Sequence, residues 1–129
     1  MNVGIVGYGW VAGAHIDALN SIDGIEVTAV CSSRPQDENE LSKKHGSSIK
    51  AFQDLGEMLS SDDIEVISIC SYPGQHKEHA IAAARAGKHL ILEKPLALSI
   101  EDCSEIRSVV EEANVRTCVC FECRYSSQF

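Results

Sequence analysis

Val3-Gly4-Ile5-Val6-Gly7-Tyr8-Gly9-Trp10-Val11-Ala12 has the character of a strand, a glycine turn and the start of a helix. Apolar residues of helical period continue from it through His15 and Ala18 and stop near Asp23-Gly24. A G-x-G-x-x-A pattern set between a strand and a helix carries a physical meaning that the same letters elsewhere lack. Gly7 permits a tight turn, Gly9 lets the main chain approach a diphosphate with no Cβ in the way, and Ala12 lets the helix lie close on the strand. The helix start at Trp10 and Val11 adds unpaired N–H groups and partial positive charge. A glycine turn that merely packs tightly is the plain alternative. The flanking strand and helix favour an anion-binding loop, with Gly7, Tyr8, Gly9, Trp10, Val11 and Ala12 as its candidate residues.

The same alternation runs outward along the chain. Glu26 to Cys31 is expected to be a strand, and Pro35 with the polar run Gln36 to Asn39 opens a helix that ends at Gly46. A short strand at Lys50 to Phe52 precedes a brief helix capped by Asp54. Ile64 to Cys70 shows little polar alternation and reads as a strand buried on both faces. A helix over Lys77 to Ala86, a strand at His89 to Leu92, a helix over Ile100 to Ala113 and a strand at Arg116 to Phe121 complete the order. Ser99-x-x-Asp102 resembles a capping box with Asp in place of Glu. Repeated βα units predict an α/β fold: a doubly wound parallel sheet of Rossmann type in three αβα layers. One domain is expected over residues 1–121, after which Glu122 to Phe129 has no element to complete.

Composition narrows the partners. The chain has 129 residues, 44% of them hydrophobic, enough for a core without staples. Its formal net charge of −8 and the lack of a basic run with aromatics argue against nucleic acid. No run of 18 apolar residues and no basic leader occur, so no membrane is expected and the cytoplasm is the expected compartment. The six cysteines are accordingly expected to be thiols.

Dinucleotide sites usually place a residue on the adenosine ribose at the end of the second strand, about 20 residues beyond the glycines. Ser32-Ser33-Arg34 stands there. An acidic residue would bind the 2′-OH of NAD, whereas two hydroxyls and a guanidinium can donate to a 2′-phosphate. NADP is favoured, with NAD as the alternative.

Downstream lie Ser71-Tyr72-Pro73-Gly74-Gln75-His76, Ala86-Gly87-Lys88-His89 and Leu92-Glu93-Lys94-Pro95-Leu96-Ala97. With the glycine loop, these segments resemble the nucleotide-binding half of the Gfo/Idh/MocA oxidoreductases, the glucose-fructose oxidoreductase and inositol 2-dehydrogenase group. The likeness spans nearly the whole chain. It implies hydride transfer between a nicotinamide cofactor and a sugar, polyol or related hydroxyl compound, with a small-molecule substrate and a homo-oligomeric enzyme. Ser71, Tyr72, Pro73 and His76 occupy the places of a Thr-Pro-Asn or Thr-Pro-Pro step and its following His, so Tyr72 departs from the pattern. Glu93-Lys94-Pro95 matches the family's Glu-Lys-Pro signature, whose proline bond is often cis. Lys94 is thereby implied to reach the nicotinamide and the substrate hydroxyl as the catalytic residue. Near the end, Arg124 fits an Asn-x-Arg-Phe segment and Glu122 does not. In the family, a following domain supplies most substrate contacts and the acid/base histidine, so this chain alone is not expected to turn over. A stand-alone dinucleotide sensor or partner-binding module is the alternative.

Cys118-x-Cys120-x-x-Cys123 has the density of a metal site. Residues 118 and 120 share one face of a strand, and small thiols are common core fillers, so packing is expected and no metal is assigned. Cys31 and Cys70 are expected to pack near the crevice.

Overall fold

The computed structural model describes residues 1–128. Six strands form one parallel sheet: β1 (Asn2–Val6), β2 (Glu26–Cys31), β3 (Lys50–Phe52), β4 (Val66–Ile69), β5 (His89–Glu93) and β6 (Thr117–Cys120). Between them run α1 (Trp10–Asn20), α2 (Glu38–His45), α3 (Leu55–Leu59), α4 (His76–Arg85) and α5 (Ile100–Glu112). The spatial order is β3-β2-β1-β4-β5-β6, so the fold is the doubly wound Rossmann type. From β1 the chain winds outward through β2 to β3, then returns to β4 on the other side of β1. The connections leaving β1 and β4 therefore diverge, and a crevice opens at their carboxyl ends.

Two apolar clusters lie on opposite sheet faces. One joins Val3, Ile5, Val27 and Val30 to Ala12 and Ile16 of α1 and Leu41 of α2. The other joins Ile67, Ile69, Leu90 and Leu92 to Ala80, Ala83 and Ala84 of α4 and Ile106 and Val110 of α5. The alanines of α4 let that helix sit close to the strands, which also explains why its sequence is so rich in small residues.

Helix starts follow the sequence closely. Asp54 Oδ1 accepts from the Glu57 N–H at 2.8 Å, and Ser99 Oγ accepts from the Asp102 N–H at 3.1 Å. The second half of the expected capping box is absent, because the Asp102 carboxylate is taken by Lys77 Nζ at 2.7 Å. Lys77 also meets Glu105 at 2.6 Å, so one ammonium ties α4 to α5. The bond from Lys77, with help from the Ser99 hydroxyl, holds Asp102 below the usual carboxylate range.

The core reading of the late cysteines is corrected. Cys118 is exposed and Cys120 only half-buried, whereas Cys31 and Cys70 are buried as expected. The physical reason is coverage. β6 is the sheet edge, and on the face of α1 and α2 even Ile91 of β5 lies only at the margin of the cluster. All six cysteines are free thiols. No helix among the described residues is long and apolar enough to cross a membrane.

Candidate functional site

A crevice of about 720 Å³ opens at the carboxyl ends of β1, β2 and β4. Gly7 forms its floor. Its φ is +88°, a left-handed conformation, and a Cβ there would lie 2.6 Å from the backbone of Ser71. Glycine at this position is thus required by the protein's own packing, which presses the first turn against the end of β4. Its N–H donates to Cys31 O at 2.8 Å, which fixes the turn against β2 as well.

Gly9 is the opposite case. It caps α1 with φ −108° and ψ −160°, which any residue can adopt, and a Cβ there would meet nothing within 4 Å. No side chain accepts from the first turn of α1, so its N–H groups remain available toward the crevice. Ala12 is fully buried beneath the loop, among Val3, Ile5 and Ile16. The loop is therefore a bare main-chain cradle whose second glycine makes room that no protein atom fills. Those features fit a diphosphate.

The flanks of the loop differ. The Tyr8 ring turns away to α2, where its hydroxyl meets His45 Nε2 at 2.9 Å and accepts from Lys44 Nζ at 3.1 Å. Trp10 is 99% exposed and stands at the rim, and Val11 lines the wall. At the end of β2, Ser32 is buried and its Oγ accepts from the Arg34 N–H at 3.3 Å, which shapes the bend. Ser33 and Arg34 are exposed beside the same crevice.

Across the switch point, Ser71 and the exposed Tyr72 line the opposite wall, with Pro73 opening a short 3₁₀ turn behind them. Ser71 Oγ meets His79 Nδ1 at 2.9 Å, and burial pushes His79 below the ordinary histidine range. His76 does not reach the crevice surface. It is fully buried, with Nδ1 at 2.7 Å from Pro95 O and Nε2 at 3.0 Å from Ser71 O. It acts as a strut between the loop after β4 and the loop after β5.

Glu93, Lys94 and Pro95 form a second group beyond that strut, and the Lys94–Pro95 bond is cis. Glu93 closes β5 and points to α1, its Oε1 at 3.0 Å from His15 Nε2. Lys94 is exposed and pairs with Glu122 at 3.2 Å. The hydrogen bond that it donates to the Glu122 carboxylate pushes the Lys94 ammonium above its ordinary value.

The structure thus gathers Gly7, Tyr8, Gly9, Trp10, Val11, Ser32, Ser33, Arg34, Ser71 and Tyr72 around one crevice. Ala12 and His76 lie beneath it, Pro73 behind it, and Glu93, Lys94 and Pro95 beside it. Gln53, Leu55, Gln75 and His79 also line it and were missed by the reading of motifs. For Gln53 and Leu55 a signal existed: both flank Asp54, the cap that follows β3 at the carboxyl edge of the sheet. For Gln75 and His79 none did beyond their nearness to Pro73.

Residues 1–121 match the sequence profile of the Gfo/Idh/MocA group, described as "Oxidoreductase family, NAD-binding Rossmann fold". The chain belongs to that family. It is 34% identical over 125 residues to glucose-6-phosphate 3-dehydrogenase of Bacillus subtilis, covering 97% of this chain and 35% of that protein. Scyllo-inositol dehydrogenase from Lactobacillus casei, solved with NAD(H) and scyllo-inositol, superimposes with a TM-score of 0.87 at 28% identity. That match covers 98% of this chain and 38% of the other. A 3-ketoreductase from Actinomadura kijaniata, solved with TDP-benzene and NADP, gives a TM-score of 0.89 at 25% identity, over 99% of this chain and 40% of the other. The chain spans about a third of the length of the curated relatives it matches. These named relatives are all oxidoreductases, and none favours the stand-alone sensor.

Proposed function

We propose that this chain is the cofactor-holding part of an oxidoreductase that moves a hydride between NADP or NAD and a hydroxyl-bearing carbon of a sugar, polyol or related compound. The contrast between Gly7 and Gly9 carries the reading. Gly7 is demanded by protein contacts, while Gly9 leaves space that no protein atom claims.

The open N–H groups at the start of α1, with the main chain of Gly7 to Val11, would hold the diphosphate. Ser33 and Arg34, the exposed donors at the end of β2, would meet the adenosine ribose and its 2′-phosphate, which favours NADP. Ser71, Tyr72 and Pro73 would border the nicotinamide ribose, with His76 acting from below as a positioning residue. The nicotinamide ring, when bound, supplies the hydride donor or acceptor. Lys94 sits at the carboxyl end of β5 and, once released from Glu122, would orient and polarise the substrate hydroxyl. Glu93 and Pro95 set the direction from which it does so. A proton acceptor for that hydroxyl is assigned to a second domain that follows residue 121, with 122–129 as the start of the link. The share of the relatives' length supports this division.

Titration with NADPH should quench Trp10 fluorescence saturably, since the indole stands at the rim of the loop. Gly9→Val should abolish the quenching while the chain still melts as a cooperative fold, lowered only by the weaker helix cap; equal affinity in that variant would defeat the proposal. Arg34→Asp should weaken NADPH more than NADH, each tenfold change in preference corresponding to about 1.4 kcal/mol. Equal losses for both would remove Arg34 as the selector.

A further inference from the structure

Outside the crevice lies one cluster of ligand-type side chains of which only Glu93 enters the function above. His15 Nε2, a Glu93 carboxylate oxygen and Cys120 Sγ all lie within 4.8 Å of one another. They come from three elements, α1, β5 and β6, and meet on the thinly covered side of the sheet. None of the three is fully exposed. The His15 and Glu93 side chains are only 13% and 12% accessible, so neither is a freely solvated surface group.

We propose that His15, Glu93 and Cys120 form a divalent cation site of zinc type, with water completing a tetrahedron. Imidazole, carboxylate and thiolate together are the donor set that zinc takes, and a site with three protein ligands keeps one position open. Softer and harder ligands in one set disfavour magnesium and calcium, which select oxygen.

The surroundings are those of a supported metal site. The other ring nitrogen, His15 Nδ1, lies 2.9 Å from Ser68 Oγ, and Ser68 is fully buried. That hydroxyl can accept an N–H from Nδ1 and so present the Nε2 lone pair to the cation. Glu93 Oε2 accepts from the Lys94 N–H at 3.0 Å, which turns Oε1 toward His15. Partners of this kind orient the ligands and commonly change metal affinity by about ten- to hundredfold.

The histidine and the carboxylate are nearly at bonding geometry, and Cys120 Sγ, within 4.8 Å of both, would have to close on them. Tetrahedral bonds of about 2.0–2.1 Å to nitrogen and oxygen place those atoms about 3.3 Å apart. His15 Nε2 and Glu93 Oε1 are 3.0 Å apart, so the pair need open by only a few tenths of an ångström. The cation would take the place of the hydrogen bond between them. Burial, with Cys118, Glu93 and Glu122 nearby, pushes the Cys120 thiol up to about 11. A bound cation reverses that, and the thiol proton leaves on binding.

The C-x-C-x-x-C run considered from sequence is not this site. Cys118 and Cys123 are exposed and stand outside the cluster, and the partners of Cys120 are His15 and Glu93.

Titration of the reduced, metal-stripped 129-residue chain with Co(II) tests the assignment. One equivalent should produce a thiolate-to-cobalt charge-transfer band with the strong visible bands of tetrahedral cobalt, and Zn(II) should displace both. Cys120→Ser should remove the charge-transfer band, and His15→Ala should weaken binding at least about tenfold, by comparison with the loss of an outer partner. Cys118→Ser and Cys123→Ser should leave the spectrum intact. A wild-type chain without the band, a band that survives in Cys120→Ser, or a band lost in Cys118→Ser or Cys123→Ser would overturn the proposal. Thermal melts establish that each variant folds. If His15→Ala does not, Cys120→Ser decides alone, since Cys120 lies half-buried at the sheet edge and its replacement leaves the core intact.

Discussion

The two sides of the switch point are built differently. On the β1–β2 side, Val3, Ile5, Val27 and Val30 are completely buried beneath α1 and α2. On the other side, β5 alternates: Leu90 and Leu92 are enclosed by α4 and α5, while His89, Ile91 and Glu93 on the opposite face are half-open. β6 has no fully buried residue. A parallel strand becomes a continuous apolar run only where helices cover both of its faces. The glycine-loop side meets that condition within these 128 described residues, and the β5–β6 side meets it on one face only.

The sharpest way to break this comparison is at the two glycines. Gly7→Ala should be among the most damaging of the changes considered, because a Cβ meets backbone and the left-handed conformation itself costs about 1–2 kcal/mol. Overpacking adds about 1–3 kcal/mol. Gly9→Ala should cost no more than about 1 kcal/mol, the loss of a glycine at a helix cap. Urea denaturation of both variants checks the pair, and equal losses would show that the two positions are not distinguished by packing.

A second comparison lies within β5. Leu92→Ala removes a fully buried side chain and should destabilise by about 2–5 kcal/mol. Ile91→Ala, on the half-open face, should cost clearly less in the same denaturation experiment. A loss at Ile91 as large as that at Leu92 would mean that this face is covered in solution.

The smallest effect is chemical. Burial pushes Cys70 up to about 12 and also raises Cys31, so both stay as protected neutral thiols at mildly alkaline pH. Cys118 and Cys123 are exposed. Timed alkylation at pH 8 read by mass spectrometry should modify Cys118 and Cys123 first and Cys31 and Cys70 last. Early labelling of Cys70 would contradict the enclosed β4.

What was legible in the chain was local. The glycine turn, the capping aspartate and serine, and every strand could be read because turn chemistry and apolar runs act between near neighbours. Boundaries moved by a residue or two, as with β4, whose apolar run extends from Ile64 to Cys70 while the paired strand covers Val66–Ile69. The failures were relations across the sheet. Cys118 and Cys120 have the pattern of core residues, and only the strand order shows that β6 is an edge. His15 and Glu93 stand 78 positions apart, and no period connects them. Asp102 matched a local capping motif, yet a lysine on a neighbouring helix competes for its carboxylate and wins. His76 could be placed at the start of α4, but its two carbonyl partners belong to separate loops.

That histidine has a wider consequence. Standing between one carbonyl on each side of the boundary between β4 and β5, it braces the loop after β4 against the loop that carries Lys94. Disturbing either loop should therefore misalign the other, so on the proposed reading defects in cofactor seating and in hydroxyl recognition would travel together rather than separate. Any bending of this chain would then have to fall somewhere other than between Ser71 and Pro95.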